Sequence, residues 1–212
     1  KIINVSKREK VESSVIAKKF TKQYHDDFKK LYVLAPDIEP FATNYIDQMI
    51  KFIDNLLINN SAYLSDSHVL FNVSNFPDYG KLSGRKIEEM KPGARIEVAS
   101  YKKNPSDFVL WKPSPENEIG WDSPWGRGRP GWHLECSAMI KEHLGETIDI
   151  HGGGEDLTFP HHENEIAQSV CCNENNPLAR FWVHNGLLRS ENTKMSKYKS
   201  SKIPLLLSVF VI

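Results

Sequence analysis

The stretch FPHHENEIAQS at 159–169 places two adjacent histidines and two glutamates within five positions, the donor types a metal ion requires. On a helix, side chains four apart share a face. His161 and Glu165 would then point the same way, and so would His162 and Ile166. An imidazole and a carboxylate one turn apart can chelate a single ion, and they can equally form a solvated surface pair. Cys136, in GWHLECSAM, adds a possible thiolate. Thiolate, imidazole and carboxylate are all acceptable zinc donors. Cys171 and Cys172 follow Glu165 by six and seven residues, about 10 Å along a helix axis, too far to share its ion unless the helix breaks. The ordinary reading competes with the metal: a cysteine among Leu134, Ala138 and Met139 is more often inert core, and no compact Cys-x-x-Cys pair is present. Spacing alone favours that ordinary reading. Position raises the odds of a site, because His151-Gly152-Gly153-Gly154 lies just upstream, and three consecutive glycines cost chain entropy that function usually justifies.

These groups need a frame. Val15, Ile16, Phe20, Tyr24, Phe28 and Leu31 recur at helical spacing, and after PDIEP a second helix is expected with Phe41, Tyr45, Ile46, Met49, Ile50, Ile53, Leu56 and Leu57 on its apolar side. A polar turn at 65–67 leads into a β-rich run ending at Val73. The Pro- and Gly-punctuated segment to about Trp125, with strand candidates ARIEV and DFVLWK, reads as a small β-containing insertion. Beyond WGRGRPG the pattern alternates: helix WHLECSAMIKEHLG, strand TIDIHGGG, helix PHHENEIAQSVC, strand RFWVHNGLL. Such alternation implies an α/β fold with a parallel sheet, whose ligands sit at the carboxyl ends of strands. That puts the glycine turn in a site. Pro160 suits a first helical turn, where its missing N–H is not needed.

Composition excludes several classes. The 212 residues suffice for one large domain or two small ones, and 40% hydrophobic with 25% charged residues is globular, not disordered. Lys+Arg and Asp+Glu are both 27, so no global field marks a nucleic-acid or membrane binder, although the first thirty residues carry a basic excess. Three cysteines make a disulfide framework unexpected and favour a reducing, cytoplasmic setting. No signal peptide is visible, and IPLLLSVFVI is too short to span a bilayer as a helix.

Taken together, RPGWHLECSAM, DIHGGGEDLTFPHHENEIAQS, HNGLL and KMSK resemble cysteinyl-tRNA synthetase, a class I aminoacyl-tRNA synthetase, with NPSDFVLWK and SPWGRGRPGWHLECSAM extending the likeness upstream. The resemblance implies an α/β, Rossmann-like catalytic domain, here incomplete, with a connective insertion. Its expected divisions are 1–60 (helical part), 61–125 (insertion), 126–193 (second half of the catalytic domain) and 194–212 (lysine loop and atypical tail). The implied activity is ATP-dependent joining of L-cysteine to tRNA(Cys) through a cysteinyl-adenylate, by a monomer using one Zn2+ and ATP with Mg2+. Cys136, His161 and Glu165 match three of the family's four zinc ligands, and the metal binds the substrate thiolate. Serine differs only by oxygen for sulfur, so a borderline-soft metal supplies discrimination that packing cannot. Trp132 matches a tryptophan at the amino-acid pocket. His133, His151 and His162 become groups that orient ligands. Gly152, Gly153, Gly154 and Asp156 are expected around the adenylate. Lys194 and Lys197 belong to the mobile loop, Lys197 steadying phosphate charge during activation.

The chain also departs from that family. A fourth ligand, a cysteine, and a His-Ile-Gly-His-like ATP motif are expected ahead of the first helix and are absent. Tyr198 replaces a serine after KMSK, and KSSKIPLLLSVFVI does not resemble the expected helical and anticodon-binding regions. The chain therefore reads as the middle of a synthetase that would not work alone. Two alternatives stay open: the cysteine ligase of mycothiol synthesis, which acts on an amino sugar, and a non-catalytic zinc or adenylate-binding remnant.

Overall fold

The computed structural model describes residues 2–85, 99–187, 189–190 and 193–194, which divide between two compact units: residues 40–187, and residues 1–39 with 188–212. In the latter, α1 (Ile2–Glu9) packs against α2 (Ser13–Lys30), the helix expected from the Val15–Leu31 periodicity. Its stripe is only partly covered. Ile16 is buried, and the rings of Tyr24 and Phe28 pack 4.2 Å apart, but Val15 and Phe20 are exposed. Two short strands, β7 (Arg189–Ser190) and β8 (Thr193–Lys194), pair antiparallel in this unit.

The larger unit begins with α3 (Ile46–Ile58). Phe41 and Tyr45, expected on its apolar side, precede it: Ala42–Asn44 is a 3-10 turn and Phe41 is exposed. Thr43 and Asn44 are poor helix formers, which delays the regular helix. From there Met49, Phe52, Ile53 and Leu56 are buried at i, i+3, i+4 and i+7, the spacing of one helix face. A hairpin follows, β1 (Ala62–Ser65) and β2 (His68–Phe71), turning through Asp66 and Ser67 with φ of 44° and 59°. Positive φ at both turn residues matches the right-handed twist of the flanking strands. Strand β2 stops at Phe71, and the expected run to Val73 ends in a 3-10 turn, Val73–Asn75. There the buried Asp107 carboxylate accepts hydrogen bonds from Val73 N (3.0 Å), Asn104 N (3.0 Å) and the Tyr63 hydroxyl (2.7 Å).

Strands β3 (Phe108–Pro113) and β4 (Gly128–Pro130) complete an antiparallel sheet in the order β1-β2-β3-β4. The candidate strand ARIEV at 94–98 lies outside the described residues. One side of the sheet contributes Val69, Phe71, Phe108 and Leu110 to a core shared with α3 and with Leu134, Ala138 and Ala167 of the next helices. Each fully buried large apolar side chain there contributes roughly 1.5–3 kcal/mol. Helix α4 (Trp132–Leu144) leads to strand β5 (Ile148–Gly154), helix α5 (Glu163–Cys172) and strand β6 (Ala179–Asn185). As the alternation predicts, β5 and β6 are parallel, paired from Ile148–Ala179 to Gly154–Asn185. Helices α3, α4 and α5 pack against one another. Among the described residues, no helix is long and apolar enough to cross a membrane.

Candidate metal centre

Two helices converge to bring the predicted donors together. On α4, Leu134 and Ala138 face the core, which turns the neighbouring positions Trp132, His133 and Cys136 toward the start of α5. That start is irregular. Thr158–His162 forms a wide π-type turn, with Phe159 extended at φ −136° and ψ 132°, and regular helix begins at Glu163. Pro160 and the histidine pair, expected in the first turn of the helix, fall instead in this irregular turn, because the extended Phe159 delays the regular helix to Glu163. His161 and Glu165 still share a face, His161 Nε2 lying 2.6 Å from Glu165 Oε1. Cys136 Sγ lies 3.7 Å from the same Nε2. Ligand atoms of Cys136, His161 and Glu165 all lie within 4.8 Å of one another.

The fit to a metal can be judged from the carboxylate. Glu165 is fully buried, and its Oε1 has no hydrogen-bond partner although His161 Nε2 is so near. These two close atoms, with the Cys136 sulfur beside them, lie near enough to one another to share a single ion. An orphaned buried carboxylate oxygen is costly, and a cation there would satisfy it. The donor set of one sulfur, one nitrogen and one oxygen suits zinc.

The surrounding histidines are tied to this set. His133 Nδ1 is 2.8 Å from His161 Nδ1. When the proton of that bond sits on His161 Nδ1, the Nε2 lone pair is free to face the donor set. Burial and the neighbouring His161 push the His133 imidazole down to about 4, so His133 is neutral and able to accept. His151 Nε2 lies 2.6 Å from Glu165 Oε2, fixing the other carboxylate oxygen. Burial opposes a charge on Glu165, but the His151 and His161 imidazoles outweigh it and bring the carboxyl to about 2. The Cys136 thiol is pushed up to about 12, by burial first and then by the Glu165 and Glu135 carboxylates. His162 belongs to a second convergent group, with His151 and Glu165, whose ligand atoms also lie within 4.8 Å of one another. Its Nδ1 meets His184 Nε2 at 2.7 Å, its ring packs against Trp182, and burial lowers it to about 4. Trp132 covers the group, its ring 4.2 Å from that of His161, and remains exposed itself.

The glycine run has a local reason. A Cβ on Gly153 would stand 2.8 Å from His162 Cε1 and 3.1 Å from Leu157 Cδ1, so any side chain there would have to displace the His162 ring. A Cβ on Gly154 would meet Asp156 Oδ1 at 2.7 Å, while Gly152 is not crowded. Of the lysine pair, Lys194 belongs to β8 and Lys197 lies outside the described residues. Cys171 and Cys172 sit at the far end of α5, Cys172 beside Lys141, and take no part. His184 and Trp182 were not among the expected residues. The alternation in RFWVHN, which puts both on one face of β6, was the available signal.

Three convergent potential donors beside a βαβ unit narrow the class of protein, and the family match defines it. The chain matches the model of the tRNA synthetases class I (C) catalytic domain over residues 1–205, and belongs to that family. Curated proteins named "Cysteine--tRNA ligase" are similar to most of the chain. The one from Parvibaculum lavamentivorans is 60% identical over 197 residues, 93% of this chain and 42% of its own length. That from Xylella fastidiosa (strain Temecula1) is 57% identical over 197 residues, again 93% and 42%. That from Gluconobacter oxydans is 56% identical over 196 residues, 92% and 43%. The chain therefore spans less than half the length of the curated relatives it matches.

Proposed function

We propose that the chain forms part of a cysteine–tRNA ligase, which activates L-cysteine with ATP and Mg2+ and passes it to tRNA(Cys). The observation that carries this reading is the convergence of Cys136, His161 and the orphaned oxygen of Glu165 beneath Trp132, in a chain similar to proteins bearing that name. These three residues would hold one Zn2+. When bound, the ion supplies a borderline-soft Lewis acid that prefers a substrate thiolate to serine's hydroxyl. The pair β5 and β6 with its α5 crossover serves as a piece of a Rossmann-like sheet, and the site lies at the carboxyl end of β5, where ligands of such sheets bind.

The chain's own groups then have separable tasks. His133 fixes the His161 tautomer so that Nε2, not Nδ1, faces the donor set. His151 holds one Glu165 oxygen and leaves the other to the ion. Trp132 walls the amino-acid pocket and keeps water from the donors. His162 supports the turn through His184, and Gly152, Gly153, Gly154 and Asp156 line the way to the adenylate. Lys197, with Lys194 supporting the loop, stabilises negative charge on the departing pyrophosphate. A protein of the relatives' length carrying this segment should catalyse cysteine-dependent ATP–pyrophosphate exchange and then charge tRNA(Cys). Exchange that is indifferent to cysteine, or driven equally by serine, would sink the proposal.

A further inference from the structure

The turn and first helical residues that carry two of the three metal donors, His161 and Glu165, are gripped from outside by one loop of the same unit. Glu163, 2% exposed, accepts hydrogen bonds from the Leu82 backbone N–H (3.0 Å at Oε1) and the Ser83 hydroxyl (2.9 Å at Oε2). The next residue, Asn164, accepts the Tyr79 hydroxyl through its side-chain oxygen. On the other flank of the turn, the Arg85 guanidinium lies over the Phe159 ring at 4.5 Å, and Tyr79 meets that ring edge-on. Neither Glu163 oxygen is spent on capping its own helix, which has no side-chain cap. A buried carboxylate is tolerated only when hydrogen-bonded, and here its donors come from a segment some eighty residues away in sequence. Glu163 stands two residues from each of His161 and Glu165, on roughly the opposite side of the helix. Holding it fixes the rotation of the helix about its axis, and so the direction in which both donors point.

We propose that the Tyr79–Arg85 loop is a positioning element for the metal-bearing turn and that Glu163 is its positioning residue, presetting His161 and Glu165 to metal-ligating geometry. The inference rests on the zinc reading above. The contribution lies in organisation rather than charge: with the latch intact the donors converge before the ion arrives, and without it the ion must order them. Outer supports of this kind typically change metal affinity by 10–100-fold.

The test measures Zn2+ affinity of the chain by chelator competition, and the visible spectrum of the Co2+-loaded chain, in wild type, Glu163→Ala, Glu163→Gln and Ser83→Ala. Zn2+ affinity should fall roughly 10–100-fold in Glu163→Ala, with an altered Co2+ band pattern. Glu163→Gln should bind close to wild type, because its carbonyl still accepts from Leu82 N–H and its amide can donate to Ser83. Ser83→Ala, which changes nothing on the helix, should weaken binding in the same direction but less, and it decides the matter should Glu163→Ala not fold. Wild-type affinity in both alanine variants would overturn the inference. So would a Glu163→Gln loss as large as that of alanine, since charge rather than position would then be at work. Wild-type protein that binds no Zn2+ at all would instead remove the zinc reading itself, and the inference with it.

Discussion

Zinc binding to this site should release close to one proton per ion, and the affinity should rise about tenfold per pH unit, because of where Cys136 sits. The ligand is the thiolate, yet burial and the nearby carboxylates move the free thiol from 9.0 to about 12. That difference of three units, at about 1.4 kcal/mol each, is about 4 kcal/mol of added cost. The same site with an ordinary thiol would bind roughly a thousandfold more tightly at neutral pH. Glu165, near 2, is already ionised, and the neighbouring His133 and His162, near 4, are neutral, so none of these three adds a proton to the count. Calorimetric titration with Zn2+ in buffers of different ionisation enthalpy, from about pH 7.5 to 9.5, below the range where the thiol ionises freely, reads the proton count directly. Cys136→Ser should remove the proton release and most of the affinity. Affinity independent of pH across that range, with no proton released, would refute the reasoning that a buried protonated thiol becomes a ligand.

Three further outcomes follow from the same geometry. The metal-free protein should lose stability as pH falls from about 6.5 to about 4, where unfolded histidines take up protons before His133 and His162 do; with 2.5 units each, the loss is at most about 3 kcal/mol per histidine, read as the melting temperature against pH. Gly153→Ala should cost roughly 1–3 kcal/mol, because its Cβ displaces the His162 ring, and should be checked by chemical denaturation alongside Gly152→Ala, which should cost less. In a ligase carrying the segment, Lys197→Ala should lower pyrophosphate exchange by roughly two to three orders of magnitude with little change in cysteine binding; near-normal exchange would remove Lys197 from its assigned role.

Much of the frame was legible because its periodicity is strong. The apolar spacing of α3 and the sequence of α4, β5, α5 and β6 appear in the structure as the pattern implied, with Ile148–Gly154 a strand in a parallel pair. The i,i+4 rule also identified the His161–Glu165 pair. What escaped is what no local period encodes. Strand β4, Gly128–Pro130, has neither an apolar run nor alternation. It pairs with β3 because Gly128 carries no side chain, where a Cβ would stand 2.3 Å from Trp111 Nε1. The contacts of His162 with His184, and of Glu163 with Leu82 and Ser83, depend on how β6 and a distant loop meet α5. Glycine 153 shows the same limit: the run of three suggested room for a ligand, whereas its middle residue makes room for an imidazole.

The central claim, that Cys136, His161 and Glu165 bind a zinc ion able to select a thiolate, is tested most directly by X-ray absorption at the zinc edge of the zinc-loaded protein, with and without cysteine. The account predicts a first shell with one sulfur at about 2.3 Å and lighter donors at about 2.0–2.1 Å. Added cysteine should contribute a second sulfur at the same distance, and serine should not. A first shell without sulfur in the wild type, or one that cysteine leaves unchanged, would contradict it.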